Sequence, residues 1–291
     1  MLKYSRIPVF LFALLWLGSS VFALPDSPAA SISEKTAGAQ KLAGYFNLYW
    51  DAKQGKLWLE IDKWNAEFLY QSGLSAGIGS NDIGLDRGQL GATRIVRFER
   101  SGPKVLLVQE NLDYRAVSED PAEKRAVRDS FAESVLAGFT VAAEEKDHVL
   151  VDATDFFLRD AHDISGTLRK TKQGAYRLDP ARSAIFMPLT KNFPLNTEVE
   201  AVLTFAGDEP GPWVKQVTPS PESISVREHH SFVQLPPPGY KTRVYDPRSS
   251  FFGISYLDFA TPVSEPIVKR FISRHRLEKK DPTAAVSEPV Q

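Results

Sequence analysis

The sequence predicts a mainly β, α+β domain: antiparallel, sandwich-like sheets with two or three short helices. Three observations carry this. Short runs alternate apolar and polar residues, the period of a half-buried strand. Gly, Pro, Asn and Asp clusters separate the runs at short intervals, as tight turns require. Few stretches carry helix-start signals. Sequential strands joined by turns favour antiparallel pairing over the long crossovers of a parallel sheet. No internal repeat is visible.

Taken in order, Phe46, Leu48 and Trp50 share one face of a first strand, and Leu57, Leu59 and Ile61 one face of a second. The polar turn Asp51–Gly55 joins them as a hairpin. Glu67–Gln71 is a third strand. Gly73–Gly91 holds six glycines, which break any periodicity, and reads as a long surface loop. Its glycines do not open a helix after a strand in the nucleotide-binding pattern, so it is not a phosphate cradle. Ala92–Glu99 and Lys104–Tyr114 form a hairpin, turned at Arg100–Pro103. Asp120-Pro121 starts a short helix, because proline suits the first helical position. Ser134–Glu144 pairs with His148–Ala153. Thr154 or Asp155 caps a second helix running through Phe156 and Phe157 towards Leu168. Ser183–Met187 is a further strand. Val199, Ala201, Leu203 and Phe205 then share a strand face, and Ile224–Leu235 is the last strand before Pro236-Pro-Pro-Gly239 stops it.

The ends read differently. Residues 1–23 fit a secretory signal peptide: Lys3 and Arg6, an apolar run from Ile7 to Leu17, then small residues with Val21 and Ala23 at the cleavage positions. Residues 24–40 read as a flexible lead-in, 41–276 as the β-rich domain, and 277–291 as a linker to an absent module. The expected location is exported, periplasmic or extracellular, without a membrane span after cleavage. There is no cysteine, so disulfides contribute nothing. A net charge of −1 provides no field favouring nucleic acid.

Two polar groupings stand out. Glu228 and His230 share a strand face, between Val226 and Phe232, while His229 points away, so the two histidines do not share a metal. A Glu228–His230 hydrogen bond of structural role is the expectation. In the second grouping, Arg159 and Asp163 sit four apart for a surface ion pair, and Asp160 and Asp163 flank His162, favouring its protonated form. These four positions, Glu228, His230, Asp160 and His162, are the candidate site; an independent hydrolase would draw on Glu228, His230 or Asp160. The helical His-Glu-x-x-His and Gly-x-Ser-x-Gly patterns are absent, leaving no catalytic, metal or cofactor residue to assign. Tyr45, Tyr49, Trp58 and Tyr70 present either an outer platform for sugar or peptide, or a second core. Arg243, Asp246 and Arg248 are expected to lie in a turn and pair locally.

Several separated motifs occur in a definite order: Asp155-Phe-Phe-Leu-Arg-Asp160, Thr190-Lys-Asn-Phe-Pro194, Asn196-Thr-Glu-Val-Glu-Ala201, Arg227-Glu-His-His-Ser-Phe-Val-Gln-Leu-Pro236, Tyr245-Asp-Pro-Arg248, Phe252–Asp258 and Pro266–Asp281. Across Lys41–Asp281 this resembles the N-terminal β-rich region of bacterial exported zinc-dependent metallopeptidases, which precedes a metzincin-like catalytic module. The resemblance implies a non-catalytic domain that supports or positions a peptidase module, in cis or as a separate chain. Zinc is then expected only in that module, and peptide or protein substrate as its target. The family's zinc ligands have no matching positions here. The alternative is a stand-alone peptide- or glycan-binding module of the cell envelope.

Overall fold

Alternation in the sequence becomes a burial pattern in space. Leu57, Leu59 and Ile61 enter one core, whereas Trp58, between them, enters another on the opposite face. The computed structural model describes residues 30–275, 279 and 281–286. The expected signal peptide, residues 24–29 of the lead-in and much of the expected linker lie outside the described residues.

The strands are β1 (Gln40–Leu42), β2 (Asn47–Asp51), β3 (Lys56–Ile61), β4 (Phe68–Ala76), β5 (Leu90–Ser101), β6 (Lys104–Gln109), β7 (Tyr114–Arg115), β8 (Ser134–Glu145), β9 (His148–Asp152), β10 (Ala175–Leu178), β11 (Ala184–Ile185), β12 (Lys191–Phe193), β13 (Asn196–Asp208), β14 (Ser223–Gln234), β15 (Gly253–Asp258) and β16 (Val268–Ile272). The helices are α1 (Ile32–Lys35), α2 (Pro121–Ser130), α3 (Thr154–Phe157), α4 (Ile164–Lys170) and α5 (Pro212–Val217). The mainly β, antiparallel expectation holds. One large sheet runs β1-β2-β3-β9-β8-β6-β5-β4-β14-β13-β10, with β11 and β12 also on β13. A small second sheet has the order β16-β15-β7, and its β15–β7 pair is parallel.

The large sheet curls until its ends nearly meet. Tyr45 N donates to Phe193 O at 2.8 Å, and Phe46 N to Thr197 Oγ1 at 3.0 Å. Asn192 Nδ2 donates to the carbonyls of Leu42 and Phe46 at 2.8 and 2.7 Å, and its Oδ1 accepts from Thr197 Oγ1 at 2.8 Å. One amide side chain thus occupies backbone groups that an open edge would expose. Gly44 makes room for it, since a Cβ there would lie 2.0 Å from Asn192 Oδ1.

Inside the curl are two apolar clusters. The first contains Phe46, Leu59, Phe68, Phe98, Val199 and Phe232. The second contains Leu74, Leu168, Tyr176, Leu203, Phe205 and Val226. A third, on the outer face, packs Tyr49 and Trp58 with Ile32, Ala143 and Leu150.

Several expectations are decided or corrected here. Of the two alternatives for Tyr45, Tyr49, Trp58 and Tyr70, the outer platform does not form: all are buried, Tyr45 and Tyr70 in the first core, and Tyr49 and Trp58 in the outer core beneath α1. The lead-in is structured from Ser31, whose hydroxyl accepts from Glu34 N while Glu34 accepts from Ser31 N, a capping box. Strand β4 continues past Gly73 to Ala76, and the loop after it is pinned by Ile78 N to Leu85 O at 2.9 Å. Ile78, Ile83 and Leu85 sink into the second core. The second expected helix is broken into α3 and α4. Asp152, not Thr154 or Asp155, receives the amide at its start, and the Thr154 hydroxyl accepts from Leu57 N instead. The expected Asp246–Arg248 pair forms, at 2.7 Å.

If Asn192 closes the sheet, Asn192→Ala removes both amide hydrogen bonds, to the Leu42 and Phe46 carbonyls, and costs about 1–3 kcal/mol in urea unfolding, against less than about 0.5 kcal/mol for the neighbouring Lys191→Ala.

Candidate functional site

Strand β14 must turn Val226 and Phe232 inward, so Glu228 and His230 follow them. Register places His230 beside Ser72 and Val199, Phe232 beside Tyr70, and Glu228 beside Leu74 next to an irregularity at Arg227. Along this inner face, Tyr70 and Phe232 belong to the first core, and Leu74 and Val226 to the second. Ser72, Glu228 and His230 form a polar seam between them, each no more than 1% exposed.

The broken helix covers that seam. Asp163 takes a left-handed φ of 57°, and Gly166 leaves room for its carboxylate, 2.2 Å from where a Cβ would stand. Asp160 caps α4, accepting from Ile164 N at 2.7 Å and Ser165 N at 2.9 Å. Arg159 turns inward. Its Nη1 donates to Leu136 O at 3.1 Å, its Nη2 to Tyr70 Oη at 3.1 Å, and its guanidinium lies 4.1 Å from the Phe156 ring centre. The structure therefore brings together all four predicted residues. It adds Ser72, Tyr70 and a structural Arg159, none of which carries a local sequence signal.

Proton positions follow from the chain of bonds. Tyr70 Oη accepts from Arg159, so its own proton serves His230 Nδ1, 3.0 Å away. The neutral ring then carries its proton on Nε2. Burial, then the Arg159 charge, depress the His230 pKa to about 3. Burial, then the Asp160 carboxylate, push Glu228 up to about 8, so it is protonated at neutral pH. The expected Glu228–His230 hydrogen bond is absent: both Glu228 oxygens and His230 Nε2 lack protein partners. The expected Arg159–Asp163 ion pair does not form, because Arg159 points inward from a non-helical segment. His162 is corrected too. Burial outweighs Asp160 and Asp163 and lowers its pKa, favouring the neutral ring.

Two further polar groupings arise from non-local pairing. On the outer face of β13 and β14, His229 donates from Nδ1 to Glu200 and from Nε2 to Glu198, both at 2.7 Å. These bonds raise its pKa to about 9. On the outer face of β5, between the inward-facing Val96 and Phe98, Arg97 binds Glu99, Glu110 and Glu133. Burial and a bond to Glu67 raise the Glu110 pKa. A cavity of about 620 Å³ adjoins this cluster and the stacked Tyr114–Phe131 rings, whose centres are 3.9 Å apart. Among the described residues, no group of three or more His, Asp and Glu is placed to hold a metal, and no helix is long and apolar enough to cross a membrane.

Fold and site define a curled antiparallel β module with a sealed polar seam. A family model described as Domain of unknown function (DUF5117) matches residues 88–280, and one described as Domain of unknown function (DUF5118) matches residues 30–77. The chain belongs to the first of these families. Its structure joins the two matched segments in one sheet, through β3–β9 and β4–β14. No curated protein and no solved structure matches the chain.

Glu228 binds its proton more tightly folded than unfolded, so its contribution to stability is full below about pH 4.5 and is lost as pH rises through about 8. In urea unfolding, Glu228→Gln should gain on the wild type across that window, by up to roughly 4 kcal/mol; parallel pH curves would refute the assignment. His229 likewise contributes below about pH 6.5 and loses that contribution as pH rises through about 9. Relative to wild type, His229→Gln should therefore be most destabilised at pH 6 and least at pH 9.5, measured by thermal melting.

Proposed function

We propose that this chain is the non-catalytic β domain of an exported zinc-dependent metallopeptidase-like protein, and that it positions a peptidase module against its small C-terminal sheet. The observation carrying this reading is an exposed apolar face. Ile254 on β15 pairs with Phe271 on β16, and Phe271 bridges to Val244. Ile254 is 63% exposed, Val244 72%, and the adjoining Phe252 90%. Clustered apolar exposure of this kind marks an interaction surface. The ordered motifs resembling metallopeptidase N-terminal regions support this partner class, with zinc and substrate turnover assigned to that partner. The seam's enclosed, neutral groups suit bracing better than turnover.

A stand-alone peptide- or glycan-binding role is the second reading. It is favoured by the cavity beside Arg97 and the Tyr114–Phe131 stack rather than by Trp58, which is buried.

The test mixes the purified chain with a metzincin-like module encoded with it and follows binding by calorimetry. Binding should weaken at least tenfold, about 1.4 kcal/mol, in the double variant Phe252→Asp, Ile254→Asp. Undiminished binding by that variant, or zinc-dependent peptide cleavage by this chain alone, would overturn the proposal.

A further inference from the structure

Helix α2 buries none of its ten residues and packs chiefly on the two-residue β7. A helix of that length is marginal in water without an apolar face to bury. Its Lys124, Val127 and Arg128 share one helical face, and that face lines the cavity of about 620 Å³ beside Arg97. The volume lies within the range of small-ligand sites, about 300–1,000 Å³.

The two sides of this cavity carry opposite charge. On the sheet side, the carboxyl groups of Glu67, Glu99, Glu110 and Glu133 line it together with the Arg97 guanidinium. Arg97 binds three of them, and the fourth, Glu67, bonds Glu110. Burial and that bond raise the Glu110 pKa. Two carboxyl groups bond each other only across a proton, so a proton is held where a cation would serve. On the helix side, Lys124 and Arg128 have no ion-pair partner among the described residues. Arg115, the remaining cation of the lining, is engaged: its Nε donates to Leu112 O at 2.6 Å, and its guanidinium lies 4.3 Å from the Tyr256 ring centre. The stacked Tyr114 and Phe131 rings complete the lining with an aromatic surface.

We infer that this cavity binds a short peptide by its two free ends, the α-ammonium group at Glu67 and Glu110, the α-carboxylate at Lys124 and Arg128, and a side chain against the Tyr114–Phe131 stack. The inference rests on the ligand-binding reading and narrows it from peptide or glycan to peptide. A neutral sugar leaves both sets of charges uncompensated, and a simple cation or anion compensates only one of them. A zwitterion with an apolar side chain matches all three surfaces, and its ammonium group takes the place of the shared proton.

The experiment titrates the full chain by calorimetry with the tripeptide Ala-Phe-Ala, its N-acetylated and C-amidated forms, and the neutral trisaccharide maltotriose. The free tripeptide should bind, and blocking either end should weaken binding at least about tenfold, the loss of a charge-assisted hydrogen bond. The double variant Lys124→Gln, Arg128→Gln changes only exposed helical side chains, so it should fold. It should weaken the free tripeptide by a similar factor and leave binding of the amidated form unchanged. Blocked peptides that bind as tightly as the free one overturn the inference but leave a ligand-binding role standing. So does binding of the trisaccharide alone, which selects glycan. Absence of binding by every probe overturns the inference and the ligand-binding reading together.

Discussion

The strand period forces Glu228 and His230 into the interior of the sheet. Val226 and Phe232 belong to two different apolar clusters, and both must point inward. The two residues between them on the same face then have no other direction available. Everything near the seam answers to that constraint. The chain leaves helical geometry after Phe157, Arg159 turns inward to orient Tyr70, and Asp160 caps the next helix while facing Glu228. Burial keeps the groups in the states least costly to desolvate: a neutral imidazole and a protonated carboxyl.

The opposite face of the same two strands is organised by charge. His229 projects outward between Glu198 and Glu200 and binds both, so an imidazolium clamps β13 to β14 above the neutral seam. Closure of the sheet rests on a third device, the Asn192 amide that spans from β12 to the chain around β2. Seam, clamp and closure all stiffen the barrel-like body. The small C-terminal sheet instead leaves Phe252 and Ile254 in solvent. A stiff body carrying an apolar outer face is suited to holding a neighbouring module in place.

Strands were legible in the sequence wherever one face is buried, as with Val199, Ala201, Leu203 and Phe205, all fully enclosed. The inward pairing of Glu228 and His230, and the outward direction of His229, followed from the same period. What was not legible depends on contacts across long sequence separations. Asp160 and His162 looked like a surface cluster because only the fold places them under β14. Ser72 carries no signal until register sets it beside His230. The aromatic residues Tyr49 and Trp58 alternate with core positions as surface residues would, and they are buried by the helix at Ile32 together with Ala143 and Leu150. That helix falls in a stretch whose small and Pro-rich composition suggested mobility, and the Ser31–Glu34 capping box was the overlooked signal.

The rest of the seam depends on its enclosing a neutral carboxylic acid. Carbon-13 NMR titration of the Glu228 carboxyl, assigned by comparison with Glu228→Gln, measures it directly. A midpoint near 8 is the result that burial beside Asp160 requires. An ordinary midpoint near 4.5 would mean instead that Glu228 is ionised and solvated at neutral pH, so that the seam holds no buried acid.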